Sequence, residues 1–175
     1  MGTRGLQGYR VGGEDKVSYH HYDCYPSGLG KAVLKYVRGC GSIEALREQA
    51  QAIEVVDDES AVSEAHMVAA ETLHAALRAS EPEDRPLKYY PEVSLPSAED
   101  RADCTYADLL DCNVSLKALS SLGFLVDSTH FLSNCLFNEW TYIINVWTMR
   151  CWRCTTESMT DPTPGAATHP WSVRR

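Results

Sequence analysis

No apolar run in this chain approaches the roughly 18 residues that a membrane-crossing helix requires, so no span is expected. Positive charge is scarce: 16 Lys and Arg stand against 24 Asp and Glu, for a formal net charge of −8. Such a surface does not suit general binding of nucleic acid or of an anionic membrane, though it leaves room for a local basic site. The opening has no secretory signal, and Leu6 occupies the place where N-myristoylation after Met1-Gly2 wants Ser or Thr. The expectation is a soluble, cytoplasmic protein. Metal spacing is missing as well, because His20 and His21 are neighbours that point apart on a strand, and His66 and His74 lie two helical turns apart. No metal ligands are assigned and no cofactor is indicated.

What the chain has is one dense stretch, Ser18-Tyr-His-His-Tyr-Asp-Cys-Tyr-Pro-Ser-Gly-Leu-Gly30. Val17, Tyr19, His21 and Asp23 alternate with Ser18, His20 and Tyr22, so a strand through them places His21 and Asp23 on one face. A carboxylate beside an imidazole fixes its tautomer and raises its basicity, as acid–base work or ligand gripping requires. Pro26-Ser27-Gly28 then breaks the strand, and Leu29, Val33, Tyr36 and Val37 recur at helical spacing. A glycine turn feeding a helix N-terminus offers N–H groups to an anion. Lys31 and Lys35 add charge nearby, but Ser27-Gly-Leu-Gly-Lys31 is not a phosphate loop of the Gly-x-x-x-x-Gly-Lys-Ser/Thr kind.

The segments Met1-Gly-Thr-Arg-Gly5, Tyr9-Arg10, His21-Tyr-Asp-Cys-Tyr-Pro-Ser-Gly-Leu-Gly30 and Phe137-Asn-Glu-Trp-Thr-Tyr-Ile-Ile-Asn145 together resemble an uncharacterised family of small microbial and viral proteins. Cys24 stands where that family has serine. The resemblance singles out residues at both ends of the chain and implies no activity.

In chain order, Gly5 to Val11 and Lys16 to Asp23 read as a hairpin turning at Gly12-Gly13-Glu14-Asp15. Ser42 begins a second helix, and a third covers about 60–79. Residues 81–104, rich in proline and charge around Lys88-Tyr-Tyr90, read as a long loop, either a lid or a disordered excursion. Thr105-Tyr-Ala-Asp108 matches a capping box, a further helix stops at Gly123, and Asp127-Ser-Thr129 caps a short one. Residues 139–146 alternate, with Trp140, Tyr142, Ile144 and Val146 toward the core and Glu139 at the edge of the other face. The fold class is therefore α+β: one domain over 1–146, with an antiparallel sheet joining the hairpin to the C-terminal strand and four or five helices packed on it.

The tail 147–175 holds Trp147, Trp152 and Trp171 without periodicity, and its Cys151-Trp-Arg-Cys154 lacks the second half of a zinc or redox site. With suitable codons the neighbouring frame reads as an aspartate-containing hairpin, so the tail is expected to be out of frame and to leave the preceding strand with an open edge. Functionally the sequence points to a binding module or hydrolase for a small anionic ligand. The candidate catalytic groups are His21, Asp23 and Glu139, and the candidate ligand contacts are Arg4, Tyr25, Ser27 and Gly28. The alternative is a non-enzymatic interaction protein in which the same motif is a structural corner.

Overall fold

The computed structural model describes residues 2–80, 92–134 and 136–148, together with the backbone of 150–154. Gly12 and Gly13, at φ of 62° and 96°, form the two-residue turn that suits strand twist. They join β1 (Arg4–Val11) to β2 (Glu14–His21), with Arg4 opposite His21 and Leu6 opposite Tyr19. A wide helical turn at Pro26–Gly30 leads into α1 (Lys31–Gly39), and the Ser42 hydroxyl caps α2 (Ile43–Ala52) by accepting the Ala45 N–H. There follow β3 (Glu54–Val56), α3 (Glu64–Ser80), α4 (Tyr106–Leu109), α5 (Leu116–Leu122), β4 (Phe124–Val126), a 3-10 turn at Thr129–Ser133, β5 (Trp140–Asn145) and β6 (Arg150–Cys154).

The main sheet has the order β2-β1-β5-β6, and β3 pairs with β4 in a second, two-stranded sheet. The fold is α+β, and its sheet joins the N-terminal hairpin to the C-terminal strand, as the alternating patterns lead one to expect. Its middle pair, β1 with β5, runs parallel, so the sheet is mixed rather than antiparallel throughout. Parallel neighbours need a crossover, and the helical segment between β2 and β5 supplies it. The β3–β4 pair is also parallel and has too few residues to show as a pattern in the sequence.

One face of the sheet carries the larger core. Tyr9, Tyr142, Ile144 and Val146 pack there against Leu29, Val33, Leu46, Leu116 and Leu119 from the helices. Two polar side chains fix helices to that sheet. The buried Gln7 donates to the Val114 carbonyl at 2.5 Å and accepts the Leu116 N–H at 3.0 Å, which pins the start of α5. Lys16 donates to the carbonyls of Ala50, Gln51 and Ile53 at the end of α2, where a cation also suits the helix dipole. A second cluster gathers Met67, Ala70, Tyr106, Leu109 and Phe124 around β3, β4, α3 and α4. There the His66 ring stacks on Phe124 at 4.3 Å and hydrogen-bonds Tyr106 at 2.6 Å, so this histidine sits at a boundary.

The opposite face is covered less. Leu6, Val17 and Ile143 lie under Phe131 and Leu132 of the 3-10 turn, with Tyr19 beside them. The outer edge of β2 is bonded too: Ser128 donates its N–H to the Val17 carbonyl, its hydroxyl accepts from the Tyr19 N–H, and the His21 N–H reaches the Cys112 carbonyl. These bonds leave β2 little edge for strand addition.

Two expectations need correction. From residue 92 the proline-rich segment is tied down: Val93 is buried, Ser94 donates to the Leu109 carbonyl, and Arg101 bridges Glu64 and Glu71 of α3. The buried apolar anchor and the ion pairs outweigh the charge density that suggested disorder; Lys88-Tyr-Tyr90 lies outside the described residues. The edge of β5 is likewise not open, because β6 pairs with it antiparallel, Asn145 opposite Arg150 and Thr141 opposite Cys154. Backbone hydrogen bonding is indifferent to side-chain alternation, so a non-alternating segment can still supply a strand. The side chains of Cys151 and Cys154, and everything from 155 onward, lie outside the described residues.

Gly8 shows how tightly β1 and β2 approach, since a Cβ there would stand 2.0 Å from the Lys16 carbonyl oxygen and 2.8 Å from the Val17 Cα. Gly8→Ala is expected to destabilise the protein by about 3 kcal/mol or more in urea unfolding, the cost of forcing backbone apart. A loss under about 1 kcal/mol would show that the hairpin opens freely.

Candidate functional site

The strand containing the dense motif ends at His21. Tyr22 and Asp23 adopt left-handed conformations, φ 62° and 45°, and turn the chain out of the sheet. Strand alternation therefore stops before Asp23, and the expected His21–Asp23 pair does not form. Asp23 is exposed, and its carboxylate makes neither a hydrogen bond nor an ion pair with a described residue.

The Tyr22–Gly30 segment is a locked corner. The N–H groups of Gly28, Leu29 and Gly30 are bonded to the carbonyls of Tyr25, Asp23 and Tyr25 respectively, at 3.0, 2.8 and 3.2 Å. An anion at this turn would have to displace them. Gly28 is required by close approach, since a Cβ would come within 2.2 Å of the Asp23 carbonyl oxygen. Cys24 closes the corner from inside: its N–H donates to the Thr3 hydroxyl at 2.8 Å, its thiol reaches the His20 carbonyl at 3.2 Å, and its carbonyl accepts from the Tyr142 hydroxyl. Burial pushes the Cys24 thiol up to about 12, so it is a protonated structural group rather than a nucleophile. The thiol's bond to a carbonyl is one that a serine hydroxyl also makes. Ser27 is exposed at the corner, and Tyr25 meets Trp140 edge-on at 6.5 Å, on the helix-covered side of the sheet.

A different set of expected residues does come together, on the less covered face. Arg4 and His21 are directly opposed across β1 and β2, which places their Cβ atoms on the order of 5 Å apart. Glu139 joins at the start of β5: its N–H donates to the Arg4 carbonyl at 3.0 Å, and its carboxylate accepts the Arg4 N–H at 3.3 Å. The Arg4 guanidinium lies over the Phe137 ring at 5.0 Å. Among the described residues no carboxylate stands within ion-pair distance of it. Phe137 is held there because its N–H bonds the Asn134 carbonyl and the buried Asn138 side chain is tied to Thr141.

His21 finds its partner two residues back. The Tyr19 hydroxyl lies 2.5 Å from Nδ1. Tyr19 is in turn packed edge-on against Phe131 at 5.2 Å, and Tyr22 meets the His21 ring edge-on at 4.1 Å. Burial pushes the Tyr19 phenol up, and the charge of the Arg4 guanidinium pulls it part of the way back. Tyr22, Leu136 and Phe137 are exposed large apolar groups beside these polar ones. No hydrogen bond or ion pair links His21 to Glu139 among the described residues.

Of the residues singled out in the sequence, Arg4, His21 and Glu139 come together here, beside Tyr19 and Phe137, which the sequence reading did not single out. The signal for Tyr19 was available, since residues two apart on a strand share a face. Phe137 is placed by a loop, which leaves no periodic trace. Comparison with protein-family models, curated proteins and solved structures returned no match.

The neighbouring His20 points to the other face, near the Val114 carbonyl and the Gln7 amide. Burial lowers its pKa, against the opposing pull of that carbonyl and of Glu92 and Asp111. The unfolded chain therefore takes up this proton first, near the ordinary value of about 6.5, so this contribution to stability is complete above that pH and is lost on acidification. Thermal melts from pH 8 down to 5 should show a smaller acid-induced loss in His20→Asn than in the parent. Equal slopes would assign the acid sensitivity to other groups.

Proposed function

We propose that this chain is a binding module for a small anionic ligand, seated on the less covered face of the sheet between Arg4 and His21, with the Tyr22–Gly30 corner as its structural support. The observation that carries the reading is the Arg4 guanidinium, over the Phe137 ring at 5.0 Å on the strand position opposite His21, with no carboxylate of a described residue within ion-pair distance. Arg10 and Arg101 are ion-paired with carboxylates, whereas Arg47, which also lies over an aromatic ring, Trp147 at 4.8 Å, donates to the Val146 carbonyl. A planar guanidinium stacked on an aromatic ring is preorganised for a carboxylate or phosphate. Tyr22, Leu136 and Phe137 border it with exposed apolar surface.

Binding is favoured over hydrolysis because Nδ1 of His21 is engaged by a phenol rather than a carboxylate, and Glu139 is engaged by the Arg4 backbone. Neither arrangement resembles a base poised against a nucleophile. The corner reading fits the backbone of Asp23 and Gly28, which carries the turn's hydrogen bonds and its close approach.

Inorganic phosphate and acetate, titrated against the whole chain and followed by thermal shift, are the direct probes. Ligand at 100 times its Kd should stabilise the protein by about 2.7 kcal/mol. Arg4→Gln and His21→Gln should remove that shift while changing unliganded stability by about 0.5 kcal/mol, as for other partly exposed side chains. Absence of a shift in the parent, or an undiminished shift in Arg4→Gln, would contradict the reading.

A further inference from the structure

We infer that Tyr19 is a positioning residue that holds neutral His21 as its Nε2–H tautomer, so that Arg4 and His21 both present N–H donors to one oxyanion. The inference rests on the binding reading above and adds the residue that fixes the donor on His21.

The direction of the hydrogen bonds follows from what each group can do. A phenol both donates and accepts, and a neutral imidazole offers one N–H and one unprotonated nitrogen. Tyr19 and His21 share one face of β2, and the group 2.5 Å from the Tyr19 hydroxyl is Nδ1 of His21. The phenol is the stronger acid and the unprotonated imidazole nitrogen the stronger acceptor, so the phenol proton is directed to Nδ1. An imidazole nitrogen that accepts a proton in a hydrogen bond does not carry one, so the proton of neutral His21 resides on Nε2. Nε2 has no hydrogen-bond partner among the described residues. The ring also has little freedom to turn over, with Tyr19 tilted against it at 5.8 Å and Tyr22 edge-on at 4.1 Å.

The chemical consequence is a face that presents N–H groups from Arg4 and His21 together, so that a carboxylate or phosphate oxygen accepts from both sides. One Glu139 carboxylate oxygen accepts the Arg4 N–H at 3.3 Å. Tyr19 acts through His21 and is held by Phe131 at 5.2 Å, a contact that phenylalanine would keep.

The test is two-bond proton–nitrogen correlation of the histidine rings in the full chain, labelled with nitrogen-15, at about pH 8, where an ordinary imidazole is neutral. In the parent, His21 should show one protonated nitrogen, Nε2, and an unprotonated Nδ1. In Tyr19→Phe it should relax toward the averaged pattern of two exchanging tautomers, and the Kd for inorganic phosphate should rise several-fold. An averaged or Nδ1–H pattern in the parent overturns the inference without recourse to a variant, and so does an unchanged His21 pattern in a folded Tyr19→Phe. A fixed Nε2–H tautomer that responds to Tyr19→Phe, combined with no phosphate binding by the parent, would overturn the binding reading while leaving the tautomer assignment standing.

Discussion

The parallel pairing of β1 with β5 is the constraint on which the rest of the structure depends. It begins where Arg4 and Glu139 exchange backbone and carboxylate hydrogen bonds, and it runs from Gly5 opposite Trp140 to Arg10 opposite Asn145. A parallel pair cannot be closed by a tight turn, so everything between β2 and β5 must serve as the crossover. That segment also provides the helices that cover one face, and β1 becomes an inner strand bonded on both sides. Gly5 and Gly8 in β1 have no room for a side chain, with the Trp140 and Lys16 carbonyl oxygens 2.4 and 2.0 Å from the positions their Cβ atoms would take.

The same pairing decides which residues gather on each face of the sheet. Because the helices fill the face of Tyr9, Tyr142 and Ile144, the residues alternating with them are left under a thinner cover, the 3-10 turn and the loop that carries Phe137. Arg4, His21 and Glu139 lie on that face, at the end of the sheet where β1 starts, β2 stops and β5 starts. The corner from Tyr22 to Gly30 then serves a separate purpose. It takes the chain off that end and into α1, and its N–H groups are satisfied internally in doing so.

Much of the fold is legible in the sequence because it is local. The Gly12-Gly13 turn, the Ser42 cap, the Thr105–Asp108 capping box and the αL stop at Gly123 each depend on residues within one turn of chain. The alternation of Tyr142, Ile144 and Val146 likewise marks the helix-covered face, although Thr141 and Ile143 on the other face are buried as well. What the sequence does not carry is partner choice and direction. Nothing in β1 or β5 says that they run parallel, and β3 and β4 have three residues each. The site divides along the same line. Arg4, His21 and Glu139 are singled out by their residue types, and the structure gathers them at one end of the sheet. The expected partnership of His21 with Asp23 fails because Tyr22 and Asp23 leave the strand in left-handed conformations, and residue types alone do not reveal that departure.

The central claim is that ligand chemistry belongs to the strand face of Arg4, Tyr19 and His21 and not to the glycine corner that follows it. Amide and side-chain chemical-shift mapping of the whole chain on addition of inorganic phosphate separates the two most directly. The account predicts that saturable shifts centre on Arg4, Tyr19, His21 and Phe137, while the amides of Gly28, Leu29 and Gly30 stay bonded and change little. Shifts centred on Gly28 to Gly30, with Arg4 and His21 unaffected, would contradict it.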